Sequence, residues 1–160
     1  MKRLLVLVTA LAIATPAIAQ NGGQISRVRA GASCPGCNLF QGDFTGMERR
    51  GQNLSRARLR QASLTAVVMN RANFSGADMR DVDASASTFA GASFAGANLT
   101  NANFVGSYLQ GANFRGANLS GAVFSGAEMN RAVGLTQRQL DQACGDETTQ
   151  LPAGLRIPRC

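Results

Sequence analysis

The stretch GASFAGANLTNANFVGSYLQGANFRGANLSGAVFSGAEM, residues 91–129, repeats itself every five residues. A bulky apolar side chain recurs at Phe94, Leu99, Phe104, Leu109, Phe114, Leu119, Phe124 and Met129, and two residues before each stands a small one, most often Ala. Followed towards the N-terminus, the register passes through Phe89, Met79, Phe74, Met69, Leu64, Leu59, Leu54 and Phe44 to Leu39, and only Ala84 and Arg49 depart from it. A period of five is neither the 3.6 of an α-helix nor the 2 of a simple strand. Something must therefore turn the chain once per repeat, and the Gly and Asn residues that pepper the segment tolerate the positive φ such turns require.

If four segments close a square, one coil takes about twenty residues, and each side chain stacks on the one a full coil away. The columns this predicts are chemically consistent: Leu39, Leu59, Met79, Leu99 and Leu119 on one side, and Leu54, Phe74, Phe94 and Phe114 on another. The units ANFSGADM, GANLTNANF and GANFRGANLSGA resemble the pentapeptide-repeat family, whose A(N/D)LXX units wind a right-handed quadrilateral β-helix. The resemblance covers residues 37 to 132 and implies an all-β solenoid of about 4 to 5 coils in which the bulky residue and the small one before it point inward. The predicted organisation is a signal peptide at 1–19, a flexible segment at 20–33, the β-helix at 34–132 and a C-terminal cap at 133–160.

Departures from the register locate expected irregularities. Ala84 leaves room between Leu64 and Phe104, which the unusually large Val82 at the partner position refills in part. Arg49 beside Met47 marks TGMERRGQNL, residues 45–54, as the expected bulge or frayed edge. An open array exposes an unpaired coil at each end, so caps are expected. The segment after residue 132 supplies one: Thr136 with Gln139 forms a capping box, predicting a short helix from about Gln137 to Ala143 before Gly145.

The chain opens on MKRLLVLVTALAIATPAIAQ, a positive start, an apolar run from Leu4 to Ala14 and a small-residue site. That is the layout of a secretory leader cleaved after Ala19. The run falls short of the about 20 apolar residues of a membrane span. A secreted or periplasmic location follows as the expectation, with no transmembrane anchor. Export would place Cys34, Cys37, Cys144 and Cys160 where disulfides persist. Four cysteines allow three pairings. The two ends of the solenoid stand roughly 23 Å apart at the spacing of neighbouring strands, and bridged Cα atoms lie within about 7 Å. Cys34 with Cys37 and Cys144 with Cys160 keeps each bridge at its own end, although the tail is long enough to run back. The same separation disfavours a four-cysteine metal site.

His is absent, which removes the usual general base, metal ligand and pH switch. Cys34-Pro35-Gly36-Cys37 raises a thiol–disulfide reading, but such chemistry wants the first thiolate at a helix N-terminus, and here the motif runs straight into the repeat. No catalytic residues, metal or cofactor are predicted. Without Lys2 and Arg3 the chain holds 14 arginines against 9 acidic residues, a net charge of +5. The fluoroquinolone-resistance members of the resembled family mimic DNA and bind DNA gyrase; this positive, exported chain is opposite on both counts, and no nucleic-acid partner is expected. Two surface features remain. Arg56, Arg58, Arg60 and Arg80 cluster on early coils as a candidate site for phosphate or an acidic envelope polymer. Val68, Thr88 and Tyr108 stack into a mildly apolar stripe, a candidate partner face. The expected role is a non-catalytic structural or protein-binding module, a monomer or end-to-end dimer, facing an unknown protein or envelope component.

Overall fold

The computed structural model describes residues 20–160; the leader assigned to residues 1–19 lies outside the described residues. Between Asn38 and Val133 the backbone winds as a parallel solenoid. Its contacts are isolated bridges rather than long strands, each joining residues twenty apart. Bridges recur every fifth residue, so each coil has four sides. The first face carries the ladder Asn38, Arg58, Asp78, Asn98, Asn118; the second Asp43, Ser63, Asp83, Asn103, Val123; the third Glu48, Val68, Thr88, Tyr108, Glu128; the fourth Asn53, Asn73, Ser93, Asn113, Val133.

The hydrogen bonding explains why five residues are the unit. Leu99 N–H donates to the Asn118 carbonyl of the next coil (2.8 Å), and Asn98 N–H donates to the Ala77 carbonyl of the previous one (2.9 Å). A tight turn follows, closed by the Ala102 N–H on the Leu99 carbonyl (3.0 Å). From Gln41 to Gly126 the turn residue two after the inward bulky position adopts left-handed φ, as at Gly106 (+64°) and even Asn101 (+57°). Glycine reaches that region without a Cβ penalty, whereas asparagine tolerates it through its short polar side chain.

Inside, the two inward positions of each repeat fill the core. Phe74, Phe94 and Phe114 stack face to face with ring centroids 5.3 and 5.2 Å apart, and Phe104 stacks on Phe124 at 5.4 Å. Phe89 meets Phe74, Phe94 and Phe104 edge-on. At the undersized Ala84, Val82 is buried as expected. Ser107 and Ser87 occupy small inward positions and stay satisfied, donating to the carbonyls of Ala84 and Leu64 (2.6 Å each), as buried hydroxyls must.

Both ends differ from the sequence-based expectation. Residues 20–33, expected to be a patternless flexible segment, contain the helix α1, Gly22–Arg29. Asn21 caps it by accepting the Gln24 N–H, and Ile25 and Val28 are buried against the first coil. The segment also satisfies the coil's open edge. Gln24 accepts the Asn38 N–H (2.6 Å), Ser33 accepts the Asn53 N–H, and Arg29 donates to the Asp43 carbonyl (2.7 Å). In return the buried Gln52 donates to the carbonyls of Val28 and Ala32. Arg49, expected to mark a bulge, keeps the bridge register, with Glu48 paired to Val68. Its guanidinium reaches the Arg29 carbonyl (3.0 Å), using a cation at a helix C-terminus where an apolar residue would fill the core elsewhere.

At the other end the capping box forms as read: Thr136 accepts the Gln139 N–H, and the Gln139 side chain accepts the Thr136 N–H. The helix, α2, is shorter than expected, Gln137–Leu140, because the chain rejoins the solenoid. Cys144 bridges Val123 and Gln150 bridges Glu128. The tail then adds a further layer through Arg159 beside Gly145. Gln139 also donates to the carbonyls of Phe114 and Ala117 (2.9 Å each), so its amide closes two open acceptors of the last full coil.

Candidate functional site

Each exposed side chain is fixed by its place in the five-residue unit, so the candidate sites are columns on the four faces and their corners. Cys34 and Cys37 take inward positions of the first coil, are bonded to each other and are buried. Cys144 is bonded to Cys160, which is exposed on the outer layer of the cap. The described residues hold no free cysteine and no group of three His, Cys, Asp or Glu side chains placed to hold a metal ion. No helix among them is long and apolar enough to cross a membrane.

The four arginines singled out from the sequence do share a region, but they are not equivalent. Arg80 makes a two-pronged contact with Asp78, Nε to Oδ1 at 2.7 Å and Nη2 to Oδ2 at 2.6 Å. That hydrogen bonding holds the Asp78 carboxyl below the usual carboxylate range. Arg60 faces Asp81 at 3.7 Å. Two of the four charges are thus internally compensated, and a cavity of only about 40 Å³ remains between Asn38, Phe40, Arg58, Arg60, Asp78 and Arg80. Arg56 and Arg58 are exposed, and Arg56 stands on the corner between the fourth face and the first.

On the third face, Val68 and Thr88 are half-buried and Tyr108 is 40% exposed, with Glu48 and Glu128 closing the ladder at either end. A feature not singled out from the sequence lies in the cap. Asp146 accepts from the Thr148 hydroxyl (2.6 Å), the Thr148 N–H (2.9 Å) and the Gly126 N–H of the last coil (3.1 Å). The Thr148 hydroxyl above all, with the two N–H groups, holds its pKa down at about 2.

The geometry defines a class, a four-sided parallel β-solenoid with capped ends. A model of pentapeptide repeats matches eight copies, continuous over residues 50–132, just over half of the chain. The chain belongs to the pentapeptide repeat family, whose fold is a right-handed β-helix solenoid. The chain is also similar to solved structures. A pentapeptide repeat protein from the Arabidopsis thaliana thylakoid lumen is 29% identical over 66% of this chain and 73% of its own, with a TM-score of 0.45. HetL, a pentapeptide repeat protein involved in heterocyst differentiation regulation in the cyanobacterium Nostoc, is 25% identical over 69% of this chain and 64% of its own (TM-score 0.37). QnrB1, a plasmid-mediated fluoroquinolone resistance protein, is 23% identical over 74% of each chain (TM-score 0.35). No curated protein matches.

Proposed function

We propose that this protein is an exported, non-catalytic solenoid acting as a structural or protein-binding module. The observation that carries the reading is the division of labour along the repeat. The inward positions are occupied by a sealed apolar core, while the outward ones form straight ladders at fixed spacing, a rigid display rather than a cleft. Export is supported by the leader-like residues 1–19 and by two disulfides closed at opposite ends. The bonded, buried state of Cys34 and Cys37 supports a staple over a thiol–disulfide enzyme, since exchange needs an accessible sulfur. With both open edges covered by α1 and by the tail, the protein is read as a monomer rather than an end-to-end dimer.

The partner face is the third, with Tyr108 as its most exposed apolar side chain, the residue type enriched at protein interfaces. The test is capture of partners from an envelope extract on immobilised protein, with Tyr108→Ala in parallel. A protein retained by the wild type and lost on Tyr108→Ala supports the reading; partners retained equally by both remove the third face from it. The mass of the exported protein checks the leader, with Gln20 expected as the first residue.

A further inference from the structure

The four faces differ in charge more than the arginine count suggests. The first face and the corner after it carry Asp78 and Asp81, the second Asp43 and Asp83, the third Glu48 and Glu128. The fourth face and both its corners carry no carboxylate. They hold five exposed arginines: Arg50, Arg71 and Arg131 on one corner, Arg56 and Arg115 on the other. None of these guanidiniums has an ion-pair or hydrogen-bond partner among the described residues. On a chain that neutralises Arg60, Arg80, Arg29 and Arg159 with acids elsewhere, five uncompensated cations on one side leave a field that an anion would satisfy.

The arrangement has a shape. Arg50 and Arg56 flank Asn53, and Arg71 adds to this end one coil on. Arg115 and Arg131 stand at the other end, beside Asn113 and Val133. Between the ends, the row of Ala90, Gly91, Ser93, Ala95 and Gly96 is flat and small, so a chain could lie close to the backbone. Two shallow depressions mark the ends, one of about 470 Å³ lined by Arg50 and Arg71, the other of about 550 Å³ lined by Arg115 and Asn113. At the spacing of neighbouring strands, Arg71 to Arg131 and Arg56 to the level of Arg115 each span three coils, roughly 14 Å. Between the charges lie neutral donors. Asn53, Asn73 and Asn113 each use the side-chain carbonyl to accept a backbone N–H two residues on, which leaves their N–H2 groups uncommitted. Arg56 and Arg71 also sit at left-handed turn positions, φ +57° each, that glycine fills elsewhere on the same corners. A long side chain is held there against the backbone's preference.

We propose that the fourth face binds a linear anionic polysaccharide laid along the solenoid axis, its carboxylates or sulfates on the two arginine ends and its hydroxyls on the side-chain amides of Asn53, Asn73 and Asn113 and on Ser93. Charge selects the anion, and the neutral donors between the charges select a sugar chain. Neither corner nor ladder carries an aromatic ring on which nucleic-acid bases would stack. Two separated ends make the contact bivalent, so affinity rises with ligand length until both are engaged. The inference is independent of the protein partner proposed for the third face.

The test is calorimetric titration of the oxidised protein with polygalacturonate of graded length, alongside dextran, polyphosphate and single-stranded DNA. Expected is binding that grows with polygalacturonate length and weakens steeply as salt rises and the screening length shortens. Dextran should not bind. The pairs Arg56→Gly with Arg71→Gly, and Arg115→Ala with Arg131→Gly, should each lower affinity at least about tenfold by cutting one end of a bivalent contact. Glycine suits the left-handed positions of Arg56 and Arg71, and Arg115 and Arg131 are exposed, so the fold should survive, which circular dichroism checks. Arg60→Ser with Arg80→Ser on the first face should leave affinity unchanged. No binding, salt-insensitive binding, equal loss in the first-face pair, or polyphosphate or DNA binding as well as polygalacturonate would each overturn the proposal.

Discussion

Replacing Phe94 by Ala removes the ring at the centre of the aromatic core. Phe94 stacks between Phe74 and Phe114 at 5.3 and 5.2 Å, and meets Phe89 and Phe104 edge-on at 5.6 and 5.7 Å. A buried Phe→Ala change costs about 3–5 kcal/mol, and each aromatic pair contributes about 0.5–1.5 kcal/mol beyond its area. Four such pairs put Phe94→Ala at the upper end, about 5 kcal/mol. Coils above and below are held by their own ladders and cannot collapse into the hole. Phe44→Ala is the comparison, since Phe44 is equally buried but lies in the first coil and outside the ring stack; about 3 kcal/mol is expected there. Urea unfolding of the oxidised proteins, followed by far-ultraviolet circular dichroism, reads both. A cost below about 2 kcal/mol for Phe94→Ala, or one no larger than that of Phe44→Ala, would refute the stacked core as the main source of stability.

Two further outcomes concern the cap. Asp146 has a folded pKa of about 2 against an ordinary 3.8, so its contribution to stability is present above about pH 4 and is lost as the pH falls towards 2. Asp146→Asn should therefore destabilise at pH 7 and converge with the wild type at pH 2 in thermal melts; parallel curves would contradict this. Cys160→Ser opens the loop closed by Cys144 and should cost roughly 3 kcal/mol in the chain-entropy model, with hydrogen exchange rising first at Gly145 and Cys160; unchanged exchange there would mean the tail does not need its clasp.

The solenoid was legible because five-residue periodicity is a property of single residues: Leu, Phe and Met in one register and Ala two before them. The capping box was legible for a similar reason, since Thr136 and Gln139 satisfy each other locally. α1 was not. Its sequence offers only Ile25 and Val28 as apolar anchors after two glycines, and its support comes from Gln52, Asn38 and Asp43, residues distant in the chain. Arg49 misled for the same reason: a cation in an apolar register looks like a break until the helix carbonyl it binds is in view. In the arginine cluster, Asp81 is the acid expected to relieve Arg60 and Arg80, and it pairs with Arg60 from one coil on; Arg80 is instead held by Asp78, only two residues away, a choice of partner that side-chain geometry and not spacing decides. The acid-free fourth face could have been found from sequence by sorting every column by charge rather than following arginines along the chain.

Any stretch of the solenoid is interchangeable with the next in steps of the repeat. Deleting residues 91–110 removes one coil of twenty and joins Ala90 to Gly111, turn residue to turn residue, so Phe74 comes to rest on Phe114. The shortened protein should fold cooperatively, keep both disulfides and unfold with a smaller denaturant dependence, in proportion to the surface lost. Deleting residues 91–108, eighteen instead of twenty, shifts the inward register and should leave an aggregated or molten chain. If both deletions fold equally well, or the twenty-residue deletion fails while its ends remain capped, the stacked five-residue register is not what holds this protein together.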